Sequence, residues 1–283
     1  ELPYEIFLIP SLKILKLNLN NKTTWRCNLN GIKNICNYND IYMNTMALNI
    51  LSQNCPLLSH ISINNVSYGF NNNELNDNNN NELNDKNMME YEQYLINIKY
   101  MNLSNNHISQ ISQLLISNTL LHLNLSNNNI ETIPDSINKL NKLKYLNLNY
   151  NKIDKLNNID GLFNLQELYI NNNNISTFKI SNNNLQKVDL SYNNIMKIKY
   201  LNNLTKLKCL YLNNNKIKRI PNLNKLKELE ELKLNDNNIS EIYFFMGKKN
   251  ILIDLNLSNN EIIMIPKYFK YLPIKSTPNP TKS

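Results

Sequence analysis

Apolar residues recur along most of the chain in one arrangement, Leu-x-x-Leu-x-Leu-x-x-Asn-x-Ile. The segments that begin at Leu143 and Leu165 show it twice in succession. The pattern starts eight times, at steps of 20 to 23 residues, and its first positions are Ile98, Leu120, Leu143, Leu165, Leu185, Leu207, Leu229 and Leu252. Eight copies in register predict a repeated structure in which each copy stacks on the next.

The centre of each copy alternates apolar and polar residues, as Leu168 and Ile170 do on either side of Tyr169. This period of two predicts a short β-strand with one buried face. The second half of each copy spaces its apolar residues by about three, which predicts short helical or 3-10 turns. The predicted fold class is α/β: a right-handed solenoid, or horseshoe, with a concave parallel β-sheet and these turns on the convex side.

An asparagine occupies the ninth position of every copy. These residues are Asn106, Asn128, Asn151, Asn173, Asn193, Asn215, Asn237 and Asn260. A buried amide needs hydrogen-bond partners, and backbone groups of its own turn and of the adjacent repeat are within its reach. The spacing therefore predicts a structural asparagine ladder along the solenoid.

The stretches LKYLNLNYNKIDKLNNIDGLFNLQELYINNNNIS (143–176) and LKCLYLNNNKIKRIPNLNKLKELEELKLNDNNIS (207–240) carry a family resemblance. They resemble the 22-residue class of leucine-rich repeats, which is typified by the leucine-rich regulatory subunit of protein phosphatase-1. The resemblance spans about Ile98 to Pro266. In that family, aromatic and acidic residues alternate along an inner row and grip the catalytic subunit. The resemblance thus implies this role for Tyr169, Asp189 and Tyr211, with the phosphatase-1 catalytic subunit as candidate partner.

The chain divides into four predicted segments. Residues 1–68 form irregular N-terminal repeats, 69–93 a disordered Asn-rich insertion, 94–272 the regular array and 273–283 a tail. The insertion is assigned from its low complexity and its duplicated NELND, which cannot bury enough apolar surface to order. In the first segment, strands are expected around Leu15 and Ile61. The interval between them would fit two repeats, although no copy is assigned around Ile35.

The polar chemistry of the sequence argues against an enzyme. The three histidines lack Asp or Ser partners at catalytic spacing, the four glycines are isolated, and no cofactor, metal or small-molecule substrate is predicted. The formal charge of +8 is spread over the chain, and stretches such as KIKYLNNLTKLK and KIKRI are expected on turns and on the convex side. We therefore expect a solvated surface rather than a nucleic-acid site. No apolar run is long enough for a membrane segment.

Residues that flank the inward leucines must point out of the sheet, because side chains alternate along a strand. They place tyrosines and acids on the predicted concave surface. Tyrosine is enriched at binding hot spots, so we predict a protein-binding face. Its candidate residues are Tyr100, His122, Tyr145, Tyr150, Glu167, Tyr169, Asp189, Tyr192, Tyr211, Glu231 and Asp254. A structural alternative is that the tyrosines only shield neighbouring leucines.

The predicted function is a non-enzymatic protein-binding scaffold or regulator that uses this concave face. The alternative is a recognition or spacer segment of a larger cytoskeletal, axonemal or tubulin-cofactor protein. The four cysteines are scattered, without a Cys-x-x-Cys pair. Among the N-x-[ST] glycosylation acceptors, Asn102, Asn124 and Asn256 fall within predicted strands. Both observations predict an intracellular protein, cytoplasmic or nuclear.

Overall fold

The computed structural model describes residues 11–18, 59–64, 98–111, 119–242 and 251–264. We number the strands of this described part β1 to β12 in chain order. They are β1 (Ile14–Asn18), β2 (His60–Asn64), β3 (Tyr100–Asn102), β4 (His122–Asn124), β5 (Tyr145–Asn147), β6 (Glu167–Tyr169), β7 (Thr177–Lys179), β8 (Lys187–Asp189), β9 (Lys197–Lys199), β10 (Cys209–Tyr211), β11 (Glu231–Lys233) and β12 (Asp254–Asn256). Three 3-10 helices lie between them, at Asp135–Lys139, Ile159–Gly161 and Leu201–Asn203.

Ten of these strands form one parallel sheet, in the order β1-β2-β3-β4-β5-β6-β8-β10-β11-β12. Each strand pairs with the strand of the next coil at the same pattern position, so that Leu146 lies opposite Leu168 and Leu168 opposite Val188. This register repeats because a shift of one residue would turn every buried leucine outward. The predicted solenoid with a parallel sheet is confirmed.

The N-terminal strands join the same sheet. Leu15 of β1 lies opposite Ile61 of β2, which in turn lies opposite Met101 of β3. Because β1 and β2 are hydrogen-bonded neighbours, the interval between them corresponds to one step of the sheet, and not to the two repeats that its length would fit. The predicted insertion 69–93 and tail 273–283 lie outside the described residues.

The core is a continuous column of aliphatic side chains beneath the sheet. All eight first-position residues, from Ile98 to Leu252, are at most 1% exposed. In the eight regular repeats the two inward positions of the strand region, such as Leu168 and Ile170, are at most 2% exposed. The column also takes in Phe178, the one aromatic ring among the fully buried large side chains of the described part. Burial of this aliphatic surface stabilises the stacked coils.

The second halves of the repeats match the expected 3-10 turns in three coils. Two other second-half segments do not form the expected helical or 3-10 turns. β7 and β9 are extended and pair with each other in a separate two-stranded parallel sheet, with Phe178 opposite Ile198. Their alternation of exposed lysines with inward Phe178 and Ile198 suits a strand better than a helical turn. The stretch KIK, expected on a turn, thus forms β9.

Each of the eight regular repeats leaves the main sheet through a residue with left-handed backbone geometry at the eighth pattern position. The φ angles there lie between 53° and 56°. Asn and Asp tolerate this conformation better than other non-glycine residues, which explains the asparagines that precede the ladder. The eighth-position residues are Asn105, Asn127, Tyr150, Asn172, Tyr192, Asn214, Asp236 and Asn259.

Candidate functional site

Two rows of side chains point outward from the main sheet, and we call these rows the concave face. The first row follows the initial residue of the short strands: Ile14, His60, Tyr100, His122, Tyr145, Glu167, Lys187, Cys209, Glu231 and Asp254. The second row contains Lys16, Ser62, Asn102, Asn124, Asn147, Tyr169, Asp189, Tyr211, Lys233 and Asn256. Between the rows, each strand buries one apolar residue. The alternation predicted from the sequence therefore positions this face.

The N-terminal part of the concave face carries a ladder of five rings. The centroids of His60 and Tyr100 are 4.2 Å apart, and those of Tyr100 and His122 are 4.6 Å apart. The ladder continues from His122 to Tyr145 at 5.5 Å and ends with Tyr169 of the second row, 5.3 Å from Tyr145. Most of these rings stack face to face, with interplanar angles of 9°, 20° and 27° before the tilted last pair. We call these five residues the ring ladder.

A lysine continues the ring ladder into the C-terminal part. The Nζ atom of Lys187 lies 5.5 Å from the ring centroid of Tyr169 and 5.4 Å from that of Tyr211. An ammonium group within about 6 Å of an aromatic face is attracted by its quadrupole. Lys187 therefore links the two tyrosines that lie on either side of Asp189 in the second row. This side-chain arrangement holds both rings in place.

Carboxylates hold the hydroxyl ends of the same tyrosines. The Tyr169 hydroxyl donates to Glu167 Oε2 at 2.7 Å, and the Tyr211 hydroxyl donates to Glu231 Oε2 at 2.6 Å. Burial, together with these hydrogen bonds, raises the pKa of Tyr169 and of Tyr211 well above the usual range for a phenol. Both phenols therefore remain neutral hydrogen-bond donors at any physiological pH.

Asp189 already has several hydrogen-bond donors within the chain. Its Oδ1 atom accepts from the backbone N–H and from the hydroxyl of Ser191, at 3.0 and 2.7 Å. Its Oδ2 atom accepts from Asn171 Nδ2 at 2.7 Å. A partner would therefore meet an oriented carboxylate whose charge is partly compensated.

Asparagines at the same strand position make a similar turn contact. The side-chain oxygens of Asn102, Asn124, Asn147 and Asn256 each accept from the backbone N–H two residues later, at 3.0 to 3.1 Å. In the coil where Tyr169 replaces this asparagine, the N–H of Asn171 donates instead to Asn149 Oδ1 of the preceding coil. The second row thus combines turn-forming amides with Tyr169, whose coil takes the equivalent hydrogen bond from Asn149.

The ninth-position asparagines connect successive coils. The Nδ2 group of Asn128, for example, donates to the carbonyl oxygens of Leu103, Leu125 and Ser126 at 3.0 to 3.2 Å. Its Oδ1 atom accepts from the N–H of Ile108 in the preceding coil. The same contacts recur from Asn151 to Asn260, whereas the hydrogen bonds of Asn106 include those to Leu103 and Ser104. From Asn106 to Asn237 these residues are buried, and Asn260 is half-buried.

Nine of the eleven candidate binding residues lie in the two rows of the concave face. Tyr169, Asp189 and Tyr211 occupy adjacent strands of one sheet and lie directly opposite one another in its register. The exceptions are Tyr150 and Tyr192, which lie in the left-handed turns and are more than half exposed. They therefore lie outside the two rows of the concave face.

Sequence reasoning missed three contributors to the concave face. His60 begins the ring ladder, Lys187 bridges two tyrosines, and Lys233 pairs with Asp254. His60 could have been found by extending the first row one strand upstream, since the SHISIN stretch shows the same alternation. The roles of the two lysines depend on side-chain conformation, for which the repeat pattern carries no signal.

Two titratable groups in the first row are shifted by their surroundings. Burial lowers the pKa of His122, with Lys144 and His60 acting in the same direction and Glu167 opposing them. Burial also raises the pKa of the Cys209 thiol, and the Glu231 carboxylate adds to this effect. The imidazole is thus favoured in its neutral form and the thiol in its protonated form. This combination does not supply the thiolate that a cysteine nucleophile needs.

The described part of the chain shows neither a metal centre nor a bilayer-spanning segment. No three His, Cys, Asp or Glu side chains come together there in a way that could hold a metal ion. No helix within these ranges has the length and apolar character needed to cross a bilayer. The chemistry of the concave face is therefore that of rings, amides and partly paired charges.

Comparison with known families agrees with the repeat geometry. A family described as "Leucine rich repeat" matches residues 96–153 and 118–175. A second, described as "Leucine Rich repeats (2 copies)", matches residues 183–225 and 205–245. Together the matches cover about half of the chain, so this is a leucine-rich repeat protein. Such folds are generally protein-binding scaffolds rather than enzymes. A search of curated protein sequences gives no significant match.

Solved structures share the fold at low sequence identity. An internalin (inlF) of Listeria monocytogenes is 24% identical with a TM-score of 0.58, over 80% of this chain and 68% of that one. A leucine-rich repeat protein of Leptospira interrogans is 20% identical with a TM-score of 0.52, over 80% of this chain and 66% of that one. The Toll–Spatzle complex of Drosophila matches at 26% identity and a TM-score of 0.54, over 59% of this chain but only 26% of that one.

Proposed function

We propose that this protein is a non-enzymatic scaffold or regulator that binds another protein on its concave face. The observation that carries the proposal is the side-by-side arrangement of Tyr169, Asp189 and Tyr211 on adjacent strands. Aromatic residues at the centre of a surface supply much of the binding energy in protein interfaces. The Toll–Spatzle complex, which contains a chain that shares this fold, is consistent with this use of the fold.

Pre-organisation supports a binding role for these tyrosines. Tyr169 is held by Glu167 at its hydroxyl and by Lys187 over its ring, and Tyr211 is held by Glu231 and the same lysine. Side chains that are already immobilised lose little conformational entropy when a partner binds. If the tyrosines only covered neighbouring leucines, they would not need fixed hydroxyl positions. The arrangement therefore favours recognition over simple shielding.

The ring ladder favours a protein partner over single-stranded nucleic acid. Sequence-tolerant nucleic-acid sites stack bases on open aromatic faces. In the ring ladder, the faces of Tyr100 and His122 are covered by neighbouring rings on both sides. The acids Glu167, Asp189 and Glu231 would also repel a phosphate backbone. Ring edges next to oriented carboxylates suit a polypeptide surface that carries apolar and basic side chains.

The candidate partner that follows from the family resemblance is the catalytic subunit of protein phosphatase-1. The alternation of aromatic and acidic residues in Tyr169, Asp189 and Tyr211 supports it, because these residues are neighbours in space as well as in the pattern. A rigid interface of this kind would bury roughly 800 Å² on each partner.

A paired substitution tests this function. We expect Tyr169→Ala with Tyr211→Ala to abolish co-purification of the phosphatase-1 catalytic subunit while the circular dichroism spectrum is retained. Tyr150→Ala with Tyr192→Ala is the matched control, since it removes two exposed tyrosines outside the strands. Undiminished capture by the Tyr169/Tyr211 variant would reject the phosphatase and the proposed site together. Capture of a different protein, lost in the same variant, would keep the site and change the partner.

The alternative is that the repeats serve as the recognition or spacer segment of a larger cytoskeletal, axonemal or tubulin-cofactor protein. The partial coverage of the long Toll chain shows that this fold also occurs within longer proteins. The same capture experiment separates the two functions. Recovery of tubulin or axonemal proteins, without the phosphatase, would favour the alternative.

We also propose that the protein works inside the cell, in the cytoplasm or the nucleus. The acceptor asparagines Asn102, Asn124 and Asn256 use their side-chain oxygens in turn contacts on the concave face. Glycans at these sites would cover the surface that the proposed function needs. Expression through a secretory pathway tests this point. Glycans mapped by mass spectrometry to these three asparagines, with binding retained, would contradict it.

A further inference from the structure

A second ordered surface lies outside the concave face, on the small sheet formed by β7 and β9. Phe178 is buried and Ile198 packs against the core, so the residues beside them point outward. Arg219 of the next coil occupies the same pattern position as Thr177 and Lys197. We call the outward surface of β7 and β9, together with Arg219, the basic sheet face. It consists of Thr177, Lys179, Lys197, Lys199 and Arg219.

The four cations of the basic sheet face are all exposed. Lys179 and Lys199 lie directly opposite each other in the strand register. Like charges at directly opposite positions destabilise a strand pair. Within the described residues, none of the four cations forms a salt bridge. Stability of the fold therefore does not account for their placement, whereas an anionic ligand would.

Two large apolar residues adjoin β9 in the chain. Met196 and Tyr200 lie immediately before and after β9 and are 55% and 53% exposed. Large apolar residues of this kind, next to a cluster of unpaired cations, are typical of surfaces that contact a polypeptide.

Acidic residues limit the extent of the basic sheet face. On the preceding coil, Lys155 lies 3.9 Å from Asp154 and is partly compensated. On the following side, Arg219 forms a backbone bridge to Glu241, whose carboxylate ends the basic row. At a strand spacing of about 4.8 Å, the cations lie on three successive coils and span roughly 10 Å across the strands. This span fits a short peptide and is small for nucleic acid, whose binding proteins commonly make about 6 to 10 phosphate contacts.

We propose that the basic sheet face is a second interaction surface, which binds a short, extended acidic segment of a protein. Lys197 and Lys199 are separated by one residue along a strand, a distance of about 6.6 Å. Acidic side chains at alternate positions of an extended peptide repeat at the same distance and can face them. The protein would then join two ligands, one on the concave face and an acidic segment on the basic sheet face.

The test measures affinity for a fluorescent peptide of alternating Glu and Thr at low ionic strength, where charge interactions are least screened. The variant K179Q/K197Q/K199Q is expected to lose about tenfold or more in affinity. The control K142Q/K208Q/K225Q removes the same charge from three other exposed lysines and should bind like the wild type. Circular dichroism of both variants verifies that the solenoid is intact.

Three results would overturn the proposal. The first is failure of the wild type to bind the peptide, and the second is an equal loss of affinity in the control variant, which would indicate only net charge. The third is tighter binding of an oligothymidylate with the same number of charges, which would point to nucleic acid. Since none of the substituted residues lies on the concave face, failure here leaves the proposed function of that face intact.

Discussion

The Nδ2 group of Asn173 donates a hydrogen bond to the carbonyl oxygen of Leu148, in the preceding coil, at 2.9 Å. The same Nδ2 group also reaches the carbonyl oxygens of Ile170 and Asn171, while its Oδ1 atom accepts from the N–H of Ile153. One buried side chain thus serves four backbone groups on two coils. The solenoid depends on such contacts because its turns cannot pair these groups by themselves.

We expect Asn173→Ala to lower the free energy of unfolding by about 1–3 kcal/mol, since the backbone groups it leaves are buried. Urea denaturation followed by circular dichroism measures the loss. Asn260→Ala removes the equivalent contacts where the side chain is half-buried and water can replace it. Its cost should be below about 1 kcal/mol. Equal stability of the Asn173→Ala variant and the wild type would contradict a structural role for the ladder.

Replacement of Tyr192 by Asn should stabilise the protein by about 1 kcal/mol. Tyr192 has a φ of 53° at a position where most other repeats place Asn, which tolerates left-handed geometry. The reciprocal change, Asn214→Tyr, should destabilise by a similar amount, because Asn214 has a φ of 55°. Thermal melts of the two variants measure both effects. The backbone explanation fails if the two substitutions shift the melting temperature in the same direction.

The parts of the fold that could be predicted are those that repeat in every coil. Leu143 and Leu165 occupy equivalent positions, and burial of such residues requires a strand in the same place each time. The direct pairing of Leu15 with Ile61 could not be predicted, because the sequence between them does not repeat. The strands β7 and β9 were not predicted. Each has only three residues with one inward side chain, and this short pattern fits a turn almost as well as a strand.

The candidate site was predictable only as two rows of outward residues. Strand alternation places Tyr169 and Tyr211 on one face whatever their neighbours are. The position of Lys187 between them depends on side-chain conformations set by contacts with adjacent coils. In a chain rich in asparagine, the pattern also does not reveal that Asn102 holds a turn. Repetition thus determines which residues face outward, and local contacts determine what they do.

The protein should lose stability as the pH falls from about 7 to 5, in part through His122. Burial lowers the pKa of His122 below its ordinary value of 6.5. The unfolded chain therefore takes up a proton at a higher pH than the folded chain does. The neutral imidazole makes its full contribution to stability above pH 6.5. This contribution is lost as the pH falls through the folded-state pKa of His122.

The variant His122→Gln isolates this contribution. The urea midpoint of each protein is measured at several values between pH 7 and pH 5. The slope of the midpoint against pH should differ between the wild type and the variant. Titrating groups that do not interact with His122 are the same in both proteins and cancel in the comparison. We expect the wild type to show the steeper loss. A variant with the same pH dependence would exclude His122 as its source.

The ring ladder should also behave as a set of energetically coupled neighbours. The ring centroids of His60 and Tyr100 are 4.2 Å apart, and the two ring planes are nearly parallel. In a double-mutant cycle, the coupling between His60→Ala and Tyr100→Ala should be about 0.5–1.5 kcal/mol, the range of stacked ring pairs. Tyr211 is five strands from Tyr100 in the sheet order, so a cycle between these two should give no coupling beyond about 0.5 kcal/mol. Equal coupling in both cycles would mean that the substitutions act through the whole sheet, and the ladder would then be a consequence of strand register rather than a source of stability.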